Sequence, residues 1–213
     1  MKYAPFLKLA SFFLALLPLT RLGYGAFTDG LGANPIEYIT RDLGTWGLTF
    51  LLITLSVTPL RLLTGWNELL RLRRMLGLFA FFYVGLHFLS YVWWDQYFDW
   101  QAIWKDVMKR PFITVGFVTF VLLIPLAATS TNTMVKRLGA KRWLLLHRLV
   151  YVIAIGGVLH YWWLVKRDIT QPLIYAAILA GLLGFRVVRR YANEAVNKSA
   201  TLSRFSTAGC KQG

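Results

Sequence analysis

Long apolar runs alternate along this chain with short clusters of charge. Six runs stand out, at residues 4–20, 45–60, 75–94, 112–129, 143–165 and 172–188. Crossing the hydrocarbon of a bilayer takes about 20 apolar residues as an α-helix, so the pattern predicts an all-α, polytopic bundle of six transmembrane helices and little else. The second and last runs are short, which suits a tilted helix or a slightly thin bilayer. The first is interrupted by Lys8 and has Pro18 near its end. With Lys2 before it and the small residues of "GYGAF" after it, it also has the form of a secretory signal. We read it as a retained helix, because a polytopic chain needs no cleavable leader.

Composition agrees: 57% of the 213 residues are hydrophobic and 15% charged, too apolar a balance for an ordinary soluble domain. The formal charge of +15 would suggest nucleic acid in a soluble protein. Here the 24 Lys and Arg sit between the apolar runs, where they orient a membrane protein instead, and no nucleic-acid partner is expected. Arg61, Arg71, Arg73 and Arg74 fall in one loop and Lys136, Arg137, Lys141 and Arg142 in another, and the segment after the sixth run opens "FRVVRRY". In the loop between the third and fourth runs, Asp95, Asp99 and Asp106 are balanced by Lys105, Lys109 and Arg110. An excess of Lys and Arg marks cytoplasmic loops, so both termini are expected in the cytoplasm. Trp93, Trp94, Trp100, Trp104, Trp162 and Trp163 then gather at the outer face as an interfacial belt. If the outer loop is helical, Trp100 and Trp104 share one of its faces, which would also suit a docking partner. No internal repeat is evident. Residues 1–190 read as one transmembrane domain and 191–213 as a polar, unstructured cytoplasmic tail, which holds the single cysteine, Cys210.

All three histidines fall inside expected spans: His87 in "LFAFFYVGLHFLSYVWW", His147 and His160 in "LLLHRLVYVIAIGGVLHYWW". Ionisable groups in a membrane are costly and mark function or pairing. Counted from the outer tryptophans, His87 and His160 both lie in the outer half, on different helices. Two such imidazoles can ligate one haem iron from opposite faces, which suits electron transfer. Zinc would need further ligands, and neither "HFLSY" nor "HYWW" offers one. His147 lies about 20 Å inward of His160 at helical rise, a step suited to a second, inner haem. On the third span Arg73 is fourteen residues before His87 and returns to within about 40° of its face. Arg73 is therefore open to three uses: a ligand, a propionate partner, or a positive-inside charge. The spacing from His147 to His160 would turn the two rings about 140° apart on a straight helix. Gly156 and Gly157 between them would permit a bulge, admit a haem ring to the backbone, or mark a helix contact.

Together "RRMLGLFAFFYVGLHFLSYVWW", "KRPFITVGF", "ATSTNTMVKRLGAKRWLLLHRLVYV", "VLHYWW" and "GLLGFRV" resemble the ferric reductase-like transmembrane superfamily, and within it the haem-binding membrane subunits of bacterial periplasmic methionine sulfoxide reductase systems. The resemblance covers about residues 4–190. It implies a multi-pass protein of the bacterial inner membrane that carries haem b, one or two, and an association with FMN at an unknown site. It also implies electrons drawn from the quinone pool or a cytoplasmic flavin reductase and delivered to a periplasmic molybdopterin-dependent methionine sulfoxide reductase subunit. His87, His147 and His160 match the family's three histidines, and Arg73 stands where related oxidases place a fourth. Arg71, Arg73, Arg74, Arg142 and Arg148 are the inner candidates for holding propionates or a flavin phosphate, and the same residues equally satisfy the positive-inside rule. The oxidases add a flavin and nicotinamide domain after the last helix. About 25 residues follow the sixth run here, with no Gly-rich dinucleotide fingerprint, so electrons are expected to come from another molecule. Two rival functions remain at this stage: a stand-alone ferric or cupric reductase using the acidic outer loop, and a small transporter or assembly factor without a redox centre.

Overall fold

The computed structural model describes residues 4–165 and 167–209, with side chains described for 6–165 and 167–194. All regular structure among them is helical. The elements are α1 (Ala4–Phe27), α2 (Pro35–Thr64), α3 (Leu69–Ser90) continued by a π-helical turn (Tyr91–Asp95), α4 (Trp100–Lys109), α5 (Pro111–Ala128), α6 (Asn132–Leu138), α7 (Ala140–His147), α8 (Leu149–Leu164) and α9 (Thr170–Gly209). Six stretches are long and apolar enough to cross a membrane: Phe6–Phe27, Pro35–Thr64, Leu69–Asp95, Pro111–Ala128, Ala140–Leu164 and Thr170–Glu194. Six spans were expected, and these six coincide with them.

Boundaries differ where polar residues extend a helix beyond its apolar run. α2 starts well before residue 45, because Asn34 caps it by accepting from the Glu37 backbone N–H and Pro35 supplies the first helical φ. An ion pair between Glu37 and Arg41 at 2.6 Å, one turn apart, supports that polar first stretch. Gly65 ends the helix in the left-handed conformation, φ 75°, its N–H on the Arg61 carbonyl. The loop between the third and fourth spans is helical as α4, capped by the Asp99 carboxylate on the backbone N–H groups of Gln101 and Ala102. It buries Ile103 and Val107 while Trp100 and Trp104 stay exposed. α9 runs on past Tyr191 through much of the segment expected as an unstructured tail. Helix-favouring Ala and Glu and an Arg190–Glu194 pair at 3.1 Å account for its first turns there. Cys210 lies outside the described residues.

The fifth span is two helices, and the break is not where the glycines are. At Arg148 the chain tightens: its N–H bonds the Leu145 carbonyl and its own carbonyl accepts from Tyr151, both at 3.1 Å and three residues apart. Gly156 and Gly157 stay within regular α8. A Cβ at Gly156 would strike the Thr119 methyl, and one at Gly157 would meet Leu48 at 3.3 Å. The first is therefore a close helix contact between α8 and α5, and no bulge forms.

Packing builds two pairs, α2 along α3 and α5 along α8, which meet through contacts of α3 with α5 and of α2 with α8. α1 and α9 lie outside them. Tyr83 is fully buried between α1 and α2, its hydroxyl donating to the Ala15 carbonyl at 2.7 Å and its ring stacked on Phe50. Phe13, Leu14 and Leu17 on α1 and Leu173, Ile174 and Ile178 on α9 face outward. Lipid accepts such surfaces without the cost that water exacts.

Candidate cofactor site between the helix pairs

A cavity of about 450 Å³ lies between the two pairs, within the usual range for a small-molecule site. Leu48, Leu51, Ala80, Val84, Leu123 and Ile153 line its apolar depth. Asn34, Glu37, Arg41, Asp95 and Arg110 line its other end, close to the start of α2 and the junction of α4 and α5.

His87 and His160 both line this cavity, their ring centroids 6.1 Å apart and their planes at 73°. Each ring is tied by one nitrogen to a backbone carbonyl on the helix it packs against. His87 Nδ1 lies 2.8 Å from the Thr40 carbonyl on α2, and His160 Nδ1 lies 2.7 Å from the Phe112 carbonyl on α5. A carbonyl only accepts, so each Nδ1 carries the proton and each Nε2 keeps a free lone pair. Neither Nε2 has a hydrogen-bond partner among the described residues, which is the state a metal-ligating imidazole needs.

The spacing fits a single metal between the rings. Two metal–nitrogen bonds of about 2 Å, plus the distance from nitrogen to ring centre on each side, put the centroids about 6 Å apart. Glycines clear the same place. A Cβ at Gly44 would sit 3.0 Å from His87 Nδ1, and one at Gly116 would sit 2.7 Å from His160 Nδ1. No group of three or more His, Cys, Asp or Glu able to hold a bare metal ion occurs among the described residues. Two imidazoles beside a cavity with an apolar depth, and no further ligating side chain among the described residues, fit a metallocofactor such as haem better than they fit a bare ion.

The remaining expected residues lie elsewhere. His147 ends α7 and does not line the cavity. Its ring stacks on Trp143 at 3.8 Å, its Nδ1 reaches the Trp143 carbonyl on its own helix at 3.1 Å, and its Nε2 is buried without a partner among the described residues. Arg73 is half-buried and Arg74 exposed, the latter donating to Asn132 Oδ1 at 2.5 Å. Arg148 is exposed at the helix break. The structure thus joins His87 to His160 and leaves His147, Arg73, Arg74 and Arg148 apart from them. Sequence reasoning missed Gly44, Gly116 and the two carbonyls. The available signal was a glycine just before the second apolar run and another inside the fourth, Gly44 and Gly116.

Residues 43–158 match the family described as the ferric reductase like transmembrane component. Three similar proteins carry the name protein-methionine-sulfoxide reductase heme-binding subunit MsrQ. The one from Herminiimonas arsenicoxydans is 56% identical over 209 residues, covering 97% of this chain and 94% of that protein. The one from Rhodospirillum rubrum is 59% identical, covering 85% of this chain and 87% of its own. The one from Azospira oryzae is 57% identical, covering 86% and 79%.

Proposed function

This chain belongs to the ferric reductase-like transmembrane family, among its MsrQ members, and from that premise we propose that it is the haem-carrying electron-transfer subunit of a methionine sulfoxide reductase system in the bacterial inner membrane. Electrons enter from the quinone pool or a cytoplasmic flavin reductase, with FMN as the family's further cofactor. They leave to a periplasmic molybdopterin-dependent subunit that repairs oxidised proteins. The observation that carries the reading is the His87–His160 pair, with both Nδ1 atoms tied down and both Nε2 atoms free in one cavity.

Haem b held there would supply one-electron carriage. The chain does the rest. His87 on α3 and His160 on α8 would hold its iron from helices on opposite sides of the cavity. Leu48, Leu51, Val84 and Leu123 keep water from the ring's apolar part, and Phe88 and Phe120, stacked at 4.7 Å, close one wall. The charge rule places the loops with Arg71–Arg74 and Lys136–Arg142 in the cytoplasm. The end of the cavity lined by Asn34, Glu37, Asp95 and Arg110 then faces the periplasm, on the acceptor's side. A stand-alone metal reductase fits less well, since two of the three carboxylates of the loop between the third and fourth spans, Asp99 and Asp106, are engaged. Asp99 caps α4, while Asp106 accepts from Tyr91 and Gln96 and pairs with Arg110 at 3.5 Å.

The test is the reduced-minus-oxidised visible spectrum of the protein purified in mild detergent, with haem per polypeptide. Wild type shows a b-type spectrum, and His87→Ala or His160→Ala removes nearly all of it. A colourless wild type, with haem supply verified during expression, sinks the proposal; so does full haem content in either variant. For the acceptor, the reduced protein is mixed with the purified periplasmic subunit and methionine sulfoxide. Absence of haem reoxidation would exclude that partner.

A further inference from the structure

The two halves of the histidine site are built by one device used twice. On α2 the carbonyl of Thr40 receives His87 Nδ1, and the residue one turn later, on the same side of the helix, is Gly44. On α5 the carbonyl of Phe112 receives His160 Nδ1, and the residue one turn later is Gly116. The carbonyl and its histidine are 47 residues apart in the first case and 48 in the second. A helical carbonyl already accepts the N–H four residues on and has a second lone pair to offer. Side chains tilt toward the helix N-terminus, so the side chain at position i+4 covers the carbonyl at position i. With glycine there, the second lone pair is open to an imidazole. A Cβ at Gly44 would lie 3.0 and 3.1 Å from His87 Nδ1 and Cε1, and one at Gly116 would lie 2.7 and 2.8 Å from the same atoms of His160.

We propose that Gly44 and Gly116 are positioning residues that set the strength of the two axial imidazoles by admitting each Nδ1–H to a helix carbonyl. This rests on His87 and His160 being the haem ligands. A hydrogen bond donated by Nδ1 raises the electron density at Nε2 and fixes the ring's tautomer and plane. A stronger axial donor favours the ferric state, and second-shell hydrogen bonding is one of the levers that set a haem's potential. By strengthening both axial donors the glycines hold the haem at a low potential.

The experiment is redox titration of purified, haem-loaded Gly116→Ala, Gly44→Ala, Gly47→Ala and Gly77→Ala, with haem affinity measured alongside. Gly116→Ala has the closest contact and raises the midpoint potential most, with haem affinity falling roughly 10–100-fold, the usual cost of a lost second-shell bond. Gly44→Ala shifts in the same direction by less, and carries the test should Gly116→Ala fail to assemble. Gly47→Ala forces Val84 aside on the same helix pair without touching His87. Val84 also lines the cavity, so this variant reports helix spacing and a displaced cavity wall together, with the Nδ1 bond intact, and shifts the potential by less than Gly44→Ala. Gly77→Ala meets only the Thr54 methyl, at 3.7 Å, and changes nothing. Unchanged potentials in haem-loaded Gly44→Ala and Gly116→Ala overturn the inference. An equal rise in Gly47→Ala does so too, because spacing and not the Nδ1 bond would then be the cause. The ligand assignment itself fails separately, through haem retained in His87→Ala or His160→Ala.

Discussion

His160 and His147 lie thirteen residues apart on consecutive helical segments, and they are held in opposite ways. His160 gives its Nδ1 proton to a carbonyl of α5, a different helix, and so does His87 to α2. His147 gives its proton to Trp143, one turn back on its own helix. A ring anchored across a helix contact is held crosswise between two helices with its far nitrogen turned into the space they enclose. A ring anchored to its own helix folds down along it, and here it stacks on Trp143 at 3.8 Å. In this protein the two histidines tied to a carbonyl of another helix line the cavity, and the one tied to Trp143 of its own helix does not.

Haem content gives the largest effect that separates the two positions. His160→Ala empties the cavity of haem, whereas His147→Ala leaves haem per polypeptide and the b-type spectrum at wild-type values. A fall to half in His147→Ala would break the comparison, because it would place a second haem at the inner histidine. The buried, unpartnered Nε2 of His147 is what makes that measurement worth doing. Next in size is Trp143→Leu, which removes both the ring stack on His147 and the indole N–H bond to the Thr129 carbonyl at 2.9 Å. The stack is worth about 1 kcal/mol and the hydrogen bond about 1 kcal/mol, so the variant loses about 2 kcal/mol of stability. A thermal melt followed by circular dichroism checks it. The haem spectrum stays unchanged while the melting temperature falls, and a spectral shift instead would couple the inner histidine to the cavity.

Much of this was legible in the sequence because lipid imposes one strong rule, that apolar runs of sufficient length become helices. All six spans and the depth match of His87 with His160 followed from that rule. What stayed hidden depends on which helices touch. The polar first turns of α2 carry Glu37, Arg41 and Asp42, so hydropathy gave them to a loop. In the fold they pair along the helix and reach α1, where Arg21 meets Tyr38 at 2.6 Å and Asp42 at 3.3 Å. The break at Arg148 carries no Pro or Gly to announce it. Its two three-residue turns alter the rotation between His147 and His160 only slightly, and the two rings stay apart, His160 in the cavity and His147 outside it. Gly44 and Gly116 were visible only as glycines at the edge of one apolar run and inside another, and their meaning lies in the imidazoles opposite.

The smallest effect concerns the arginines beside the inner histidine, which were candidates for holding a cofactor's acidic groups. Arg74 is exposed and spends one donor on Asn132 Oδ1, at the start of α6. That bond crosses from α3 to the segment after α5 and can be removed without touching any charge. If Arg74 serves only to tie that segment, Asn132→Ala costs less than about 1 kcal/mol, as an exposed hydrogen bond should, and haem affinity and potential are unmoved. If Arg74 also holds an acidic group near His147, freeing it from Asn132 alters how that group is held. The potential or the haem content would then shift although no ligand and no charge has been changed. The expected outcome is the first, because Arg74 lies outside the cavity that joins His87 to His160. A shift in Asn132→Ala would make the inner half of the protein a second cofactor site, and the contrast between its two histidines one of occupancy as well as of anchoring.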